Sequence, residues 1–151
     1  MSKLGRYSAD RKKIEDLTAD KTVEVSDCGT IFTLSAATGL TASLPSISDA
    51  GKGWWVKFVV ADAPTHPYEI SASSGDSTKL HGMTVHASGS DTVAGGAGSD
   101  VSDFTNGTGG VAVTFIGGLA KQGDQVELVT DGTDWYAIAH CGTEDAITYD
   151  A

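Results

Sequence analysis

Apolar and polar residues alternate at period two in short runs that are separated by turns. The longest apolar run is residues 53–61, GWWVKFVVA, in which aromatic and β-branched residues dominate. Such residues favour a pleated, half-buried surface, so the run predicts a central strand. One face of this strand is wholly apolar, and its members are Trp54, Val56, Phe58 and Val60. We expect that face to lie in the core.

The opposite face of the same strand is mixed and carries Trp55, Lys57 and Val59. A large aromatic side chain beside a cation suits a contact with a partner better than open water. Tyr136, near the end of the chain, is a second aromatic residue that we expect to be exposed. A sugar-stacking platform on Trp55 and Tyr136 is the alternative, and contact between subunits is the more economical interpretation.

The same alternation predicts further short strands. They cover residues 22–26, 30–34, 40–44, 68–72, 111–116, 125–130, 133–138 and 146–149, the last as an edge strand. About eight to ten short strands with turn signals between them predict an all-β domain. The expected architecture is a single β-sandwich, or a jelly-roll-like or partial barrel domain, of short antiparallel strands.

Asp131-Gly132 marks the clearest local structure, a hairpin with a two-residue turn. This turn predicts Thr130 opposite Thr133, Leu128 opposite Trp135 and Val126 opposite Ala137. Val126, Leu128, Trp135 and Ala137 then share one face, which we expect to be core and to place Trp135 against the central strand.

Two segments depart from the strand pattern. Residues 73–110 are rich in Gly, Ser, Asp and Thr, and they predict a long insertion with a short hairpin at about residues 79–86. Residues 1–21 form an N-terminal arm, followed by a β-rich domain over residues 22–151. The arm contains too few apolar residues to hold a helix alone, so it is either a floppy terminus or a segment that orders on a neighbour.

Composition narrows the function. The 151 residues suit one domain, and the net charge of −10 argues against nucleic-acid binding, because phosphate contacts need Lys and Arg. Positive charge is concentrated in the first twenty-one residues, which marks the arm as a separate functional unit. No apolar run approaches the ~20 residues that span a bilayer, and no secretory signal is evident.

Candidate chemistry is sparse. The four histidines, His66, His81, His86 and His140, match no zinc spacing. A glycine-rich stretch that ends in Asp100 lacks the repeats of a calcium-binding solenoid, which leaves calcium at Asp100 and Asp103 as a minor alternative. No nucleophile elbow or phosphate loop is present. We therefore expect no catalytic residue, no metal and no cofactor, and we expect Cys28 and Cys141 to be reduced rather than paired.

Several segments together resemble small decoration, or cement, proteins on the heads of tailed bacteriophages. They are ADRKKIEDL at 9–17, KTV at 21–23, CGTIFTL at 28–34, AATGLT at 36–41, LP at 44–45, GKGW at 51–54, FVV at 58–60, GD at 123–124 and DGTDWY at 131–136. The resemblance covers most of the chain outside residues 73–110. It implies a β-rich homotrimer on the outer surface of the capsid, made in the host cytoplasm and bound to the major capsid protein, without catalytic residues.

On this interpretation the arm binds the capsid and one face of the domain contacts other subunits. The capsid-binding residues are expected to be Leu4, Arg6, Tyr7, Arg11, Lys12, Lys13, Ile14 and Leu17. The subunit interface is expected at Trp55, Lys57 and Tyr136. No membrane partner is expected. A tail-fibre or host- and carbohydrate-recognition module is the alternative function, and a virion-associated hydrolase is a third class.

Overall fold

The computed structural model describes residues 11–86 and 110–150, and within these ranges the fold is all-β. The strands are β1 Lys13–Leu17, β2 Lys21–Thr22, β3 Thr30–Leu34, β4 Leu40–Ser43, β5 Trp55–Val60, β6 Tyr68–Ser71, β7 Leu80–His86, β8 Ala112–Phe115, β9 Gln125–Thr130, β10 Trp135–Cys141 and β11 Ile147–Asp150. Short 3-10 turns cover Val25–Asp27 and Ser74–Asp76, and a single α-helical turn covers Ile47–Ala50. Within the described ranges no helix has the length and apolarity needed to cross a membrane.

Two sheets pack face to face. Sheet A has the order β1-β3-β5-β9-β10-β7, and sheet B has the order β11-β8-β6-β4-β2. The predicted all-β, sandwich-like fold is confirmed, and β11 is the edge strand that the sequence predicts. The expectation of antiparallel strands is wrong in part, because five of the nine strand pairs are parallel.

The path of the chain explains the parallel pairs. The first eight strands alternate strictly between the two sheets, with odd-numbered strands in sheet A and even-numbered strands in sheet B. Successive strands of one sheet therefore lie side by side and parallel through β1, β3 and β5 in sheet A and through β2, β4 and β6 in sheet B. The β9–β10 hairpin then joins sheet A through β9, which is antiparallel to β5, and β10 pairs in parallel with β7 on its other side.

The inner faces of the two sheets form one core. Trp54, Val56, Phe58 and Val60 are all buried, as the alternation predicts. Phe58 stacks on Phe32 with ring centroids 5.3 Å apart. The hydroxyl of the buried Tyr68 donates to the carbonyl oxygens of Ala36 and Asp62, at 3.0 and 3.2 Å.

The register of the β9–β10 hairpin differs from the prediction. Thr130 pairs with Trp135, Leu128 with Ala137 and Val126 with Ala139, a shift of two residues along β10. The Asp131 carboxylate causes the longer loop, because it accepts hydrogen bonds from the amides of Thr133 and Asp134. A shift of two preserves the side-chain face, so the predicted core face of Val126, Leu128, Trp135 and Ala137 is confirmed.

Two other local predictions are wrong. Residues 80–86 form the single strand β7, parallel to β10, instead of a short hairpin. Gly82 lets β7 close the sandwich, because a Cβ there would collide with the ring of Tyr149 on β11. Residues 22–26 form no continuous strand, because the Asp27 carboxylate accepts from the Glu24 amide and closes a 3-10 turn. The rest of the insertion, residues 87–109, lies outside the described residues.

The two cysteines are separate thiols, as predicted: Cys28 is exposed and Cys141 is buried. Burial, reinforced by the nearby Asp124 carboxylate, raises the pKa of Cys141. At neutral pH Cys141 on β10 is therefore the protonated thiol, which is less reactive than the thiolate.

Candidate interaction surface

The outer face of sheet A brings the three predicted interface residues together. Trp55 on β5 pairs with Val129 on β9, and Val129 pairs with Tyr136 on β10. Tyr136 in turn pairs with His81 on β7. Neighbouring strands lie about 4.8 Å apart, so these four side chains form a continuous row. Trp55 and Tyr136 flank Val129 in that row.

A second row runs parallel to the first. Lys57 pairs with Glu127, Glu127 with Ile138, and Ile138 with Met83. On its other side Lys57 pairs with Ile31 on β3. The predicted Trp55, Lys57 and Tyr136 therefore belong to one surface, and apolar side chains surround them.

This surface carries most of the exposed large hydrophobic side chains among the described residues. Residues 11–86 and 110–150 contain six exposed large hydrophobic side chains. Four of them project from the outer face of sheet A: Ile14 at 63%, Ile138 at 51%, Tyr136 at 42% and Val129 at 37% of full exposure. Apolar side chains at this density on one sheet face are typical of an interface.

The outer face of sheet B has the opposite character. Its outward positions are all small or polar, and they are Thr41, Ser43, Glu69, Ser71, Ala112, Thr114, Thr148 and Asp150. The Thr114 hydroxyl donates to the Asp150 carboxylate at 2.7 Å, so the side chains satisfy one another there. These positions are polar apart from Ala112, and Ala112 and Thr114 are buried, so the outer face of sheet B exposes no large apolar side chain among the described residues.

A groove of about 560 Å³ lies at the centre of the sheet A face. Its lining consists of Lys57, Gln125, Glu127, Val129, Tyr136, Ile138 and His140. The floor comes from the three central strands β5, β9 and β10, and the groove is open to solvent. It combines an apolar floor with a few charged and amide groups, which is the composition of a recognition site.

The hairpin loop orients the Tyr136 ring at one end of the groove. Its hydroxyl donates to the Asp131 carboxylate at 3.1 Å, and its ring lies 6.0 Å from the His81 ring. This hydrogen bond raises the pKa of Tyr136. The amides of Asp134 and Thr133, followed by the Tyr136 hydroxyl, hold the pKa of Asp131 below its ordinary value. Tyr136 thus remains a neutral, positioned donor across the physiological range.

The arm residues divide into three groups. Leu4, Arg6 and Tyr7 lie outside the described residues, and Arg11 and Lys12 are exposed. Lys13, Ile14 and Leu17 belong to β1, so the C-terminal part of the predicted arm is a strand of sheet A. Leu17 is buried in the chain's own core, whereas Ile14 projects from the outer face of sheet A.

Ion pairs fasten β1 at the edge of sheet A. Lys13 lies 3.1 Å from the Asp27 carboxylate, and Lys21 lies 2.9 Å from that of Glu15. The hydrogen bond to Glu15 raises the pKa of Lys21. Burial raises the pKa of Asp27, but the Glu24 amide and Lys13 outweigh burial, so the net shift is downward. These charges also shield the edge of the sheet against unwanted strand pairing.

No ligand set for a metal is found among residues 11–86 and 110–150, where no three His, Cys, Asp or Glu side chains converge. His81 and His140 lie on the outer face of sheet A, and His86 is buried. Asp100 and Asp103, the minor calcium candidates, lie outside the described residues.

Sequence reasoning identified Trp55, Lys57 and Tyr136 but missed Val129, Ile138 and Ile31. A signal for them was present, because each occupies the outward position of a strand whose inward positions are apolar. On β10 apolar residues occupy both faces, with Trp135 and Ala137 inward and Tyr136 and Ile138 outward, a pattern that indicates an apolar outer face. Reading only the core parity leaves this second face unnoticed.

Comparison with known proteins adds no assignment to this geometry. The chain matches no protein-family model, and none of the curated proteins matches its sequence.

Proposed function

We propose that the chain is a structural virion protein that decorates and stabilises the capsid of a tailed phage. It acts as a homotrimer on the outer surface of the capsid, with the N-terminal arm bridging to the major capsid protein. The outer face of sheet A supplies the contact between subunits. The capsid assignment rests on the resemblance of the sequence segments, and the assembly role rests on the two sheet faces.

The contrast between the two outer faces is the observation that carries the assembly role. Sheet A exposes Ile138, Tyr136 and Val129, whereas the corresponding positions of sheet B are Thr, Ser, Glu and Asp. Exposed apolar area costs about 25 cal/mol per Å² relative to burial, so covering the sheet A face is favourable. Covering the sheet B face brings no such gain.

Charge supports the same division of labour. The whole chain carries −10, so copies repel each other over most of their surface. The sheet A groove contains one Lys and one Glu, Lys57 and Glu127, which nearly cancel. The groove itself therefore adds little net charge to the repulsion between copies. Lys3, Arg6, Arg11 and Lys12 precede β1 in the sequence, and their positive charge suits an acidic site on a shell.

A trimer that spans neighbouring capsid subunits adds buried area across seams that internal pressure tends to open. Because it binds the expanded shell and not its separated parts, it stabilises that state by mass action. This mechanism requires only that the trimer bind in the correct position, and it involves no catalytic turnover.

Deletion of residues 1–12 tests the role of the arm. The cut leaves β1, which begins at Lys13, and so preserves Leu17 in the core. We expect the truncated protein to fold and trimerise but to leave stripped phage heads undecorated in electron micrographs. A matched control carries a scrambled sequence at residues 1–12 and should also fail. Full decoration by the truncated protein would refute this role for the arm.

A glycan-recognition module is the second candidate, and the groove favours it over a hydrolase. Tyr136 offers a stacking ring, and Gln125, Glu127 and His140 offer hydrogen-bonding groups along the same groove. Antibody labelling of intact virions separates the two functions. Label over the whole head supports decoration, whereas label confined to the tail supports glycan recognition, which a glycan array would then test.

A further inference from the structure

We propose that the sheet A groove receives the turn that carries Leu119 from a second copy of the chain, so that copies associate head to tail. The inference deepens the proposed function and rests on its claim that the outer face of sheet A joins subunits. It names the part of the partner subunit that fills the groove.

The concave shape of the groove favours a convex occupant over a symmetric contact. Seven side chains surround a hollow of about 560 Å³ on the middle strands. Two copies that met through the same concave face would leave water in both hollows, whereas a convex element would displace that water and pack against Val129, Tyr136 and Ile138. The occupant is therefore a convex element that lies elsewhere on the second copy.

Two described elements offer a protruding apolar side chain outside sheet A. They are Val25, 43% exposed in the 3-10 turn, and Leu119, 39% exposed in the turn between β8 and β9. Val25 follows the exposed Glu24, and the carboxylate of Asp27 two residues later is buried and ion-paired with Lys13. Leu119 has Gly118 before it and the exposed Lys121 two residues after it.

Charge selects Leu119 over Val25. Glu127 is exposed in the groove, whereas its cross-strand neighbour Lys57 is half-buried. A turn that brings Lys121 toward Glu127 offsets part of the repulsion between two copies of an acidic chain. A turn that brings Glu24 adds to that repulsion.

The Leu119 turn is also a firm projection. The Gly118 amide donates to the Pro64 carbonyl at 2.7 Å, and the Ala120 amide donates to the Ile116 carbonyl at 2.9 Å. Gly117 packs so closely on the backbone of Thr65 and His66 that a Cβ there would collide with it. A preformed turn loses little conformational entropy when it docks.

The turn and the groove lie on different parts of the molecule. The turn follows β8 at one end of the sandwich, and the groove lies on the face of sheet A. A contact between unlike surfaces is heterologous, and it closes into a ring when the rotation per subunit allows. Three copies related in this way form the proposed trimer.

Mixing two full-length variants tests the arrangement by sedimentation equilibrium. Leu119→Asp removes the apolar side chain that docks and leaves the groove unchanged. Ile138→Asp places a charge in the groove and leaves the turn unchanged. We expect each variant alone to be monomeric and the equimolar mixture to form a complex of two chains. Circular dichroism should show both variants folded, because both side chains are exposed.

Two controls sharpen the test. Val25→Asp should assemble like the wild type. Lys121→Glu and Glu127→Lys should each weaken association about tenfold, and the two together in one chain should restore it. Wild-type assembly by Leu119→Asp, or a mixture that stays monomeric, would overturn the inference. Neither result bears on capsid binding by the arm, because the deletion of residues 1–12 tests that role separately.

Discussion

The indole of Trp135 packs edge-to-face against that of Trp54, with ring centroids 5.6 Å apart and ring planes at 79°. Both side chains are buried, and the Trp54 Nε1–H donates to the Val25 carbonyl at 2.8 Å. Trp135 begins β10, and Trp54 immediately precedes β5. The pair therefore joins the β9–β10 hairpin to the start of β5 and to the 3-10 turn at Val25–Asp27. It holds the core beneath the groove, on the opposite side of the same strands.

Replacement of Trp135 by Ala should lower the free energy of unfolding by about 3–5 kcal/mol, because it leaves a large cavity against Trp54. Urea denaturation followed by circular dichroism measures the change. Thr133→Ala, in the exposed loop of the same hairpin, should stay within about 0.5 kcal/mol of the wild type. Equal stability of the two variants would show that the Trp54–Trp135 pair does not hold the core.

Gly82→Ala should destabilise the protein by about 1–3 kcal/mol, because the new methyl group must displace the Tyr149 ring. Burial raises the pKa of Tyr149 to about 12, which agrees with a ring enclosed between the sheets. Gly75→Ala is the matched control, since a Cβ there meets nothing within 4 Å. A thermal melt checks both, and an unchanged midpoint for Gly82→Ala would contradict the packing of β7 on β11.

Asp27→Asn should loosen β1 without loosening the core. The folded-state pKa of Asp27 lies below its ordinary 3.8, so its ionised form stabilises the fold above that pH, and the effect is lost as the pH falls through the folded pKa. At neutral pH we expect amides of residues 13–17 to exchange about three to ten times faster in the variant. The expected factor is modest because Lys13 is largely exposed, and solvent weakens its ion pair with Asp27.

Hydrogen exchange with mass spectrometry measures this effect, with Asp49→Asn as the control because its carboxylate contacts Ser46 instead. The difference between variant and wild type should shrink below pH 3.8. Equal exchange in β1 at neutral pH would mean that the ion pairs do not fasten the strand.

Local patterns predicted the strands and their core faces better than the pairing between strands. The alternation of Trp54, Val56, Phe58 and Val60 marked β5 correctly, because burial of one face leaves a direct trace in the sequence. The hairpin register was wrong by two residues, because the Asp131 side chain closes the loop and residue types alone do not determine its length.

The pairing of strands that are distant in the chain could not be predicted from the sequence. β1 buries one apolar side chain, Leu17, and gains its place through pairing with β3 and through Asp27 and Lys21, which lie later in the chain. β7 became a strand because Gly82 admits Tyr149 from the other sheet. Such partners have no local signature. For the candidate surface, Trp55, Lys57 and Tyr136 were predicted, whereas the groove that Lys57 and Tyr136 line required the three-dimensional register.

The most direct test of the assembly face is the mass of the protein in solution, measured by sedimentation equilibrium for the wild type and for Ile138→Asp. Ser43→Asp, on the polar outer face of sheet B, is the control. We expect the wild type and Ser43→Asp to have about three times the chain mass of 15.5 kDa, and Ile138→Asp to have that of one chain. A monomeric wild type, or a trimer that survives Ile138→Asp, would contradict the account.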